Sequence, residues 1–173
     1  MTFSTEIKNR ILAWNTDLAG EMDLSLFMPE GEPGRTLTAF AEAFTRLAPK
    51  VRVHQKSDHD GDGARFDLGR GIIYRAVPEG PELEPFLEAL FMINAHPSAN
   101  PDSARSAFQT MTLPAHLRLH IAPRCPFCPK AVRQVLALAL SNDLMQLDII
   151  DAFLFPHMAR KDAVQATPSG LRT

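Results

Sequence analysis

The chain has 173 residues, of which 45% are hydrophobic, and its formal net charge at pH 7 is -2. This is enough apolar material for the core of one domain or of two small ones. The basic residues are scattered and no apolar stretch is long enough to span a bilayer, so we expect neither nucleic acid nor a membrane as a partner. The sequence starts without the pattern of a secretory signal peptide, which favours a cytoplasmic location.

The first half of the chain is predicted to begin with a helix and a βαβ unit. Apolar residues at helical spacing predict a helix over residues 7–18, with Ile7, Ile11, Trp14 and Leu18 on one face. Alternating patterns and turn residues then predict a strand over 24–28, a helix over 36–47 and a strand over 51–54. A hairpin of strands 64–68 and 71–77 and a helix over 82–94 are expected to follow.

The segment between these elements, residues 58–63, is rich in Asp and Gly. A calcium-binding EF-hand loop needs a Glu at its twelfth position, where this chain has Gly69, and it needs flanking helices. We therefore expect a solvated loop here and no calcium site.

The second half repeats the pattern of the first. A helix over 102–111 is predicted to precede a strand over 117–121, a helix that ends near residue 141 and a strand over 145–150. A shift of 93 positions aligns the halves without a gap and pairs Glu32 with Cys125 and Arg35 with Cys128. This favours an internal duplication. The first copy lacks the thiols, so we expect it to serve as a scaffold or docking surface.

The only two cysteines lie between a predicted strand and a predicted helix. Cys125 is expected at the helix N-terminus, where backbone N–H groups, the helix dipole, Arg124 and Lys130 all favour a thiolate and lower its pKa. Cys128, one helical turn further on, is expected to be more buried and to act as the second thiol. In a reducing compartment such a pair is typical of redox or metal chemistry.

The prolines and the phenylalanine of this turn are expected to modify its properties. Pro126, at the predicted first helical position, and Phe127 are expected to tune the relative stability of disulfide and dithiol. Pro129 removes a backbone donor at the start of the helix, so we expect it to distort the first turn.

Metal binding is the main chemical alternative, because two cysteines at this spacing form half of many zinc sites. His116, His120 and His157 are available, but none has zinc-finger spacing. We therefore expect no metal ligands, while a zinc-dependent binding domain stays open as an alternative.

The pattern resembles that of tandem thioredoxin-fold proteins, specifically protein disulfide oxidoreductases and the N-terminal domain of the alkyl hydroperoxide reductase flavoprotein. The resemblance rests on Cys125-Pro126-Phe127-Cys128-Pro129, on Ile150-Asp151-Ala152 with Phe155-Pro156, and on Thr167-Pro168. In the first half, Gly80 to Leu90 and Asn94-Ala95-His96-Pro97 are similar to the helix and linker of that flavoprotein domain.

The resemblance implies an α/β fold of two tandem thioredoxin-like units, residues 1–98 without cysteines and residues 99–173 with the CPFC motif. It also implies that Cys125 attacks a substrate disulfide, that Cys128 resolves the mixed disulfide, and that Pro168 is a cis-proline facing them. Glu82 would assist proton transfer. Substrate contacts would come from Pro126, Phe127 and Thr167.

The implied activity is thiol–disulfide exchange with a protein disulfide and without a bound cofactor. The implied redox partners are a flavoprotein or thioredoxin-reductase-like electron donor, or a peroxidase.

The second unit departs from this pattern at its end. The counterpart of Asn94 would lie near position 187, but the sequence stops at Thr173, so we expect this unit to lack its C-terminal hairpin and helix. An open sheet edge favours self-association into a homo-oligomer. It equally suits the alternative function, a non-catalytic thioredoxin-like interaction module that docks on a partner completing its sheet.

Overall fold

The computed structural model describes residues 1–58, 61, 63–95 and 113–172. Its contacts divide the chain into two compact units, residues 1–67 and residues 68–173. The predicted helix over 102–111 and the predicted domain boundary at residues 98 and 99 lie outside the described residues.

The first unit contains the predicted helix and βαβ arrangement. Its elements are α1 (Thr5–Asp17), β1 (Met22–Phe27), α2 (Glu32–Thr45), β2 (Val51–Lys56) and the start of β3 (Arg65–Gly69). β1 pairs in parallel with β2 and antiparallel with β3. The buried side chains of this unit include the aromatic residues Trp14, Phe40 and Phe44, together with Leu24 and Leu26.

Helix α2 begins four residues earlier than predicted, at Glu32 instead of Thr36. Pro33 lies in the first turn of the helix. A backbone N–H group in this turn has no carbonyl partner within the helix, so the missing N–H of proline costs no helical hydrogen bond. Gly34 follows, and a Cβ at this position would collide with the carbonyl oxygen of Pro29. Residues 32–34, which precede the predicted helix and include Pro33 and Gly34, therefore form its first turn.

The second unit carries the cysteines. Its elements are β4 (Ile72–Arg75), a 3-10 turn (Gly80–Glu82), α3 (Leu83–Ala95), β5 (Ala115–Ile121), α4 (Cys128–Leu140), β6 (Met145–Asp151), α5 (Pro156–Lys161) and β7 (Ser169–Arg172). The strand order is β4-β6-β5-β7, with β6 parallel to both of its neighbours and β7 antiparallel to β5. Because β5 and β6 are parallel, the cysteine turn and the turn after Asp151 leave the sheet at the same edge.

The core of the second unit lies between this sheet and helices α3 and α4. Helical and alternating patterns place apolar side chains inward from each element; the fully buried ones include Tyr74, Phe86, Val132, Leu136, Leu147 and Ile149. A buried ion pair also joins β4 to β6, with Arg75 Nε 3.0 Å from both carboxylate oxygens of Asp148.

One prediction for the C-terminal region needs correction. The predicted loss of the closing hairpin is wrong for one strand, because β7 pairs with β5 from Leu117 to His120. Helix α5 precedes this strand and begins at Pro156, with Phe155 as its N-cap.

The order strand, helix, strand occurs once in each unit, and β5 begins 93 residues after β1, the shift found in the sequence. The tandem-unit interpretation itself stays a prediction. Among the described residues, no helix has the length and apolar character needed to cross a membrane.

Candidate redox site

Cys125 lies in the turn between β5 and α4, just before the N-terminus of the helix, where it was predicted. Its backbone N–H donates to the carbonyl of Ala122 over 3.2 Å, and Arg124 before it has a positive φ of 60°. Helix α4 begins at Cys128, whose N–H donates to the Cys125 sulfur over 3.2 Å. The predicted influence of the helix start is thus exerted through backbone N–H groups, those of Phe127 and Cys128, that hydrogen-bond to the sulfur.

The prolines of the turn act differently from the prediction. Pro126 precedes the helix, whereas Pro129 occupies its first turn. The first-turn N–H groups have no partner within a helix, so Pro129 is accommodated there without a break. Ala131 N–H donates to the Phe127 carbonyl over 3.3 Å, which continues the turn into the helix.

The two sulfurs have opposite environments. Cys125 is partly exposed, and the Phe127 side chain beside it is 71% exposed. Cys128 is 0% exposed and packs in the core. The disulfide of another protein can therefore reach Cys125 directly. It cannot reach Cys128, which is buried behind the turn that carries Cys125.

These environments separate the acidities of the two thiols. Desolvation opposes ionisation of Cys125, but hydrogen bonds with the Cys128 thiol, the backbone amides of Phe127 and Cys128, and the Thr167 side chain outweigh it and lower its pKa. Burial, the hydrogen bond with Cys125 and the nearby charges of Cys125 and Glu82 together raise the pKa of Cys128 to about 12, against a lowering effect of the Ala122 backbone. The exposed thiol is thus the more acidic one.

Arg124 and Lys130 are not among the causes of the lowered Cys125 pKa. Both residues are exposed, where water and salt screen their charges. The prediction that they favour the thiolate is therefore wrong, and the hydrogen bonds of the turn perform that role.

Glu82 is a buried carboxyl group in the same unit. Only 3% of the residue is exposed, and Tyr74 Oη donates to its Oε2 over 3.3 Å. Burial raises the pKa of Glu82 to about 7, against opposing effects of Tyr74 and Arg133 and with a further increase from Asp151. Its Oε1 has no hydrogen-bond partner among the described residues. This carboxyl group exchanges its proton near neutral pH and lies close enough to Cys128 to raise its pKa.

Asp151 adds a second buried carboxyl group at the end of β6. Burial raises its pKa, while hydrogen bonds from the backbone N–H groups of Phe153 and Leu154 partly compensate. These two bonds shape the turn after β6. They also hold Phe153 in place, and its side chain is 74% exposed.

Of the neighbouring residues Thr167 and Pro168, Thr167 lies next to Cys125. The Thr167–Pro168 peptide bond is cis, as the resemblance implied, and the Cys125 sulfur is 3.9 Å from the Thr167 carbonyl oxygen. Thr167 also contributes to the wall of a cavity of about 370 Å³. The other lining residues come from the turn after β6, from α5 and from the loop after it: Ala152, Phe153, Pro156, Ala159, Arg160, Val164, Gln165 and Ala166.

The second unit therefore brings together all the predicted site residues, whose roles stay predictions. Sequence reasoning missed the contributions of Tyr74, Asp151 and Arg133. Asp151 was quoted in the resemblance but given no role, and Tyr74, the only tyrosine of the chain, shares one face of a predicted strand with the apolar residues Ile72 and Ala76. A polar aromatic residue at such a position is a signal for a buried hydrogen bond.

The histidines proposed as alternative metal ligands do not join the cysteines. Within the described ranges, no group of three or more His, Cys, Asp or Glu side chains is arranged to hold a metal ion. His120 is fully buried and its Nε2 lies 2.7 Å from Asp162 Oδ2.

The strands, helices and cysteine turn define a thioredoxin-like α/β fold, and solved structures with the same fold confirm this class. The N-terminal domain of the alkylhydroperoxide reductase AhpF from Enterococcus faecalis matches with a TM-score of 0.82 and 16% identity, covering 99% of this chain and 90% of that one. A protein disulfide oxidoreductase from Aeropyrum pernix matches with a TM-score of 0.80 and 17% identity, covering 100% and 85%. No protein-family model matches the chain, and neither does any curated protein.

Proposed function

We propose that the chain is a thiol–disulfide oxidoreductase that exchanges electrons with a protein disulfide through Cys125 and Cys128. The observation that carries this proposal is the asymmetry of the two sulfurs: one accessible and of lowered pKa, the other buried with a pKa of about 12. Such a pair separates nucleophilic attack from resolution. The fold shared with two redox proteins supports the same class of activity.

In the first step, the Cys125 thiolate attacks one sulfur of the partner's disulfide. A mixed disulfide forms between Cys125 and the partner, the partner's S–S bond breaks, and its second sulfur leaves as a thiolate. The N–H of Cys128 and the Thr167 side chain stabilise the attacking thiolate before this step.

In the second step, Cys128 loses its proton and attacks the Cys125 sulfur. This releases the partner's first sulfur, so two electrons pass to the partner and the chain keeps an internal disulfide. Because Cys128 has a pKa of about 12 and Glu82 one of about 7, Glu82 is the group suited to take this proton. Electron flow in the other direction reverses the same steps.

The cavity beside Thr167 suits the polypeptide around the partner's disulfide. Its apolar lining and the exposed rings of Phe127 and Phe153 offer contact area next to the attacking sulfur. We propose a flavoprotein or thioredoxin-reductase-like protein as electron donor, or a peroxidase as acceptor. The cytoplasmic location, the homo-oligomer and the absence of a bound cofactor stay predictions.

The experiment is to trap the mixed disulfide. In Cys128→Ser, Cys125 still attacks but resolution is blocked, so a disulfide-bearing protein substrate such as oxidised insulin becomes covalently attached. The matched control, Cys125→Ser, gives no adduct because the remaining thiol is buried. In the native chain, the pair should titrate between about -120 and about -300 mV, the range of thiol oxidoreductases.

The same variants separate catalysis from simple docking. A non-catalytic interaction module would bind its partner equally well in Cys125→Ser and would show neither an adduct nor a titration. That combination of results would reject the proposed activity.

A further inference from the structure

A buried cluster of charged and polar groups joins β5 to the C-terminal end of α5. Asp162, the C-cap of α5, accepts from Arg118 Nη1 at its Oδ1 over 2.9 Å. Its Oδ2 lies 2.7 Å from His120 Nε2. All three side chains are at least about nine-tenths buried, and Arg118 and His120 both belong to β5. We call Arg118, His120 and Asp162 the β5–α5 clamp.

The clamp fixes both ends of the loop that carries Thr167. At the beginning of the loop, Arg118 and His120 hold Asp162 through their side chains. At its end, the backbones of the same two β5 residues face Leu171 and Ser169 in the pairing of β5 with β7. Residues 163–168 therefore form a loop that is attached at both ends to the same short stretch of β5. Two residues beyond His120, the carbonyl of Ala122 holds the N–H of Cys125.

The free-energy cost of burying these charged groups argues that the cluster has a role other than stabilising the fold. A buried ion pair gains little over apolar side chains of the same size, because its charges lose their hydration. Moreover, His120 Nδ1 and Arg118 Nε are buried and have no hydrogen-bond partner among the described residues. Buried polar atoms left in this state call for an explanation.

We propose that Asp162, held between Arg118 and His120, is a positioning residue that keeps the Thr167–Pro168 loop in place against the Cys125 sulfur. This deepens the proposed function and rests on it, because the loop position sets the contact between Thr167 and the attacking sulfur. The clamp acts through Thr167 and touches no reacting atom.

The test compares Asp162→Ala with Asp148→Ala. Each variant removes the carboxylate of a buried ion pair in the second unit, but the Arg75–Asp148 pair joins β4 to β6 and has no part in the clamp. The readout is the rate of alkylation of the reduced protein by iodoacetamide as a function of pH. This rate reports Cys125 alone, because Cys128 is fully buried.

Asp162→Ala is expected to raise the pKa of Cys125, so that alkylation near pH 7 slows about tenfold. Asp148→Ala is expected to lower thermal stability to a similar degree and to leave the pH profile of alkylation unchanged. An unchanged profile in Asp162→Ala, or an equal shift in both variants, overturns the proposal.

A second variant covers the case in which Asp162→Ala does not fold. Arg118→Met combined with Asp162→Leu removes both charges and keeps the volume, a change that buried ion pairs often tolerate. The same shift in the alkylation profile is expected, and its absence refutes the clamp. Alkylation needs neither a partner nor turnover, so failure of the trapping experiment would reject the oxidoreductase without changing this measurement.

Discussion

Replacement of Glu82 by Gln distinguishes two roles of this buried carboxyl group by the sign of the effect. As a negative charge, Glu82 raises the pKa of Cys128, so its removal would make Cys128 more acidic and would speed resolution. As the proton acceptor, Glu82 is needed for Cys128 to ionise, so its removal would slow resolution. Gln keeps the size of the side chain and an oxygen that can accept from Tyr74 Oη.

The magnitudes favour the slower reaction. With a pKa of about 12 beside free Cys125, roughly one Cys128 thiol in 10⁵ is ionised at neutral pH, and binding of Cys125 to a partner raises this fraction only in part because burial, the largest cause of the high pKa, remains. Glu82 has a pKa of about 7, so about half of the carboxyl groups are ready to take a proton at that pH. General-base catalysis contributes about 10² to 10⁴ in rate. The charge of Glu82 is the smallest of the causes that raise the Cys128 pKa. Its loss should therefore increase the ionised fraction of Cys128, and with it the rate of resolution, by about tenfold at most.

We therefore expect Glu82→Gln to slow resolution about 100-fold near pH 7 and to leave the first attack almost unchanged. An aromatic disulfide with a coloured thiolate measures both steps in one stopped-flow trace. The first equivalent is released when Cys125 attacks, and the second when Cys128 resolves the mixed disulfide. In the native chain, the second phase should accelerate as the pH rises through about 7, and this acceleration should be absent in the variant.

Glu84→Gln is the matched control, since it removes the same charge from the first turn of α3 without entering the causes that shift the Cys128 pKa. Its two phases should match those of the native chain. An equal or faster second phase in Glu82→Gln would refute the role of Glu82 as proton acceptor and would leave it as an electrostatic influence only.

Three further predictions concern the same groups. Thr167→Val removes a hydrogen bond that lowers the Cys125 pKa, so alkylation below that pKa should slow several-fold. Tyr74→Phe removes a bond that lowers the Glu82 pKa, so the pH midpoint of resolution should rise above 7. Because the folded-state pKa of Glu82 exceeds the ordinary pKa of 4.5 that it has in the unfolded chain, the native fold loses stability as the pH rises from 4.5 to about 7. Urea unfolding should show Glu82→Gln to be more stable than the native chain by up to about 3 kcal/mol at about pH 8, with no such gain at about pH 4.

The local patterns predicted most of the described helices and strands, because helical and alternating spacing of apolar residues is visible within a few positions. The ends of two helices differ from the predicted positions. Helix α2 starts early because Pro33 suits a first turn, and α4 starts late because the cysteine turn makes its own hydrogen bonds. The short elements α5 and β7 were missed. β7 has four residues, and what holds it is pairing with a strand about 50 positions earlier in the chain.

Within the candidate site, too, features of neighbouring residues were predicted, whereas contacts between residues far apart in the sequence were not. The spacing of Cys125 and Cys128 identified the dithiol, and family resemblance indicated Glu82. No local pattern could pair Asp162 with Arg118 and His120, which lie 44 and 42 positions away along the chain. Contacts of this kind depend on the register of β5 against β7, which the sequence pattern alone does not determine.

The electrostatic coupling between the two sulfurs gives a physical order to the proposed steps. Both the charge of Cys125 and its hydrogen bond raise the pKa of Cys128 while Cys125 is a free thiolate. Once Cys125 is bound in a mixed disulfide, its charge is gone, and the pKa of Cys128 falls towards that of Glu82. Capture of a partner thereby makes the resolving thiol easier to ionise. The buried thiol stays protonated until a substrate is attached, which protects it from reaction before its turn.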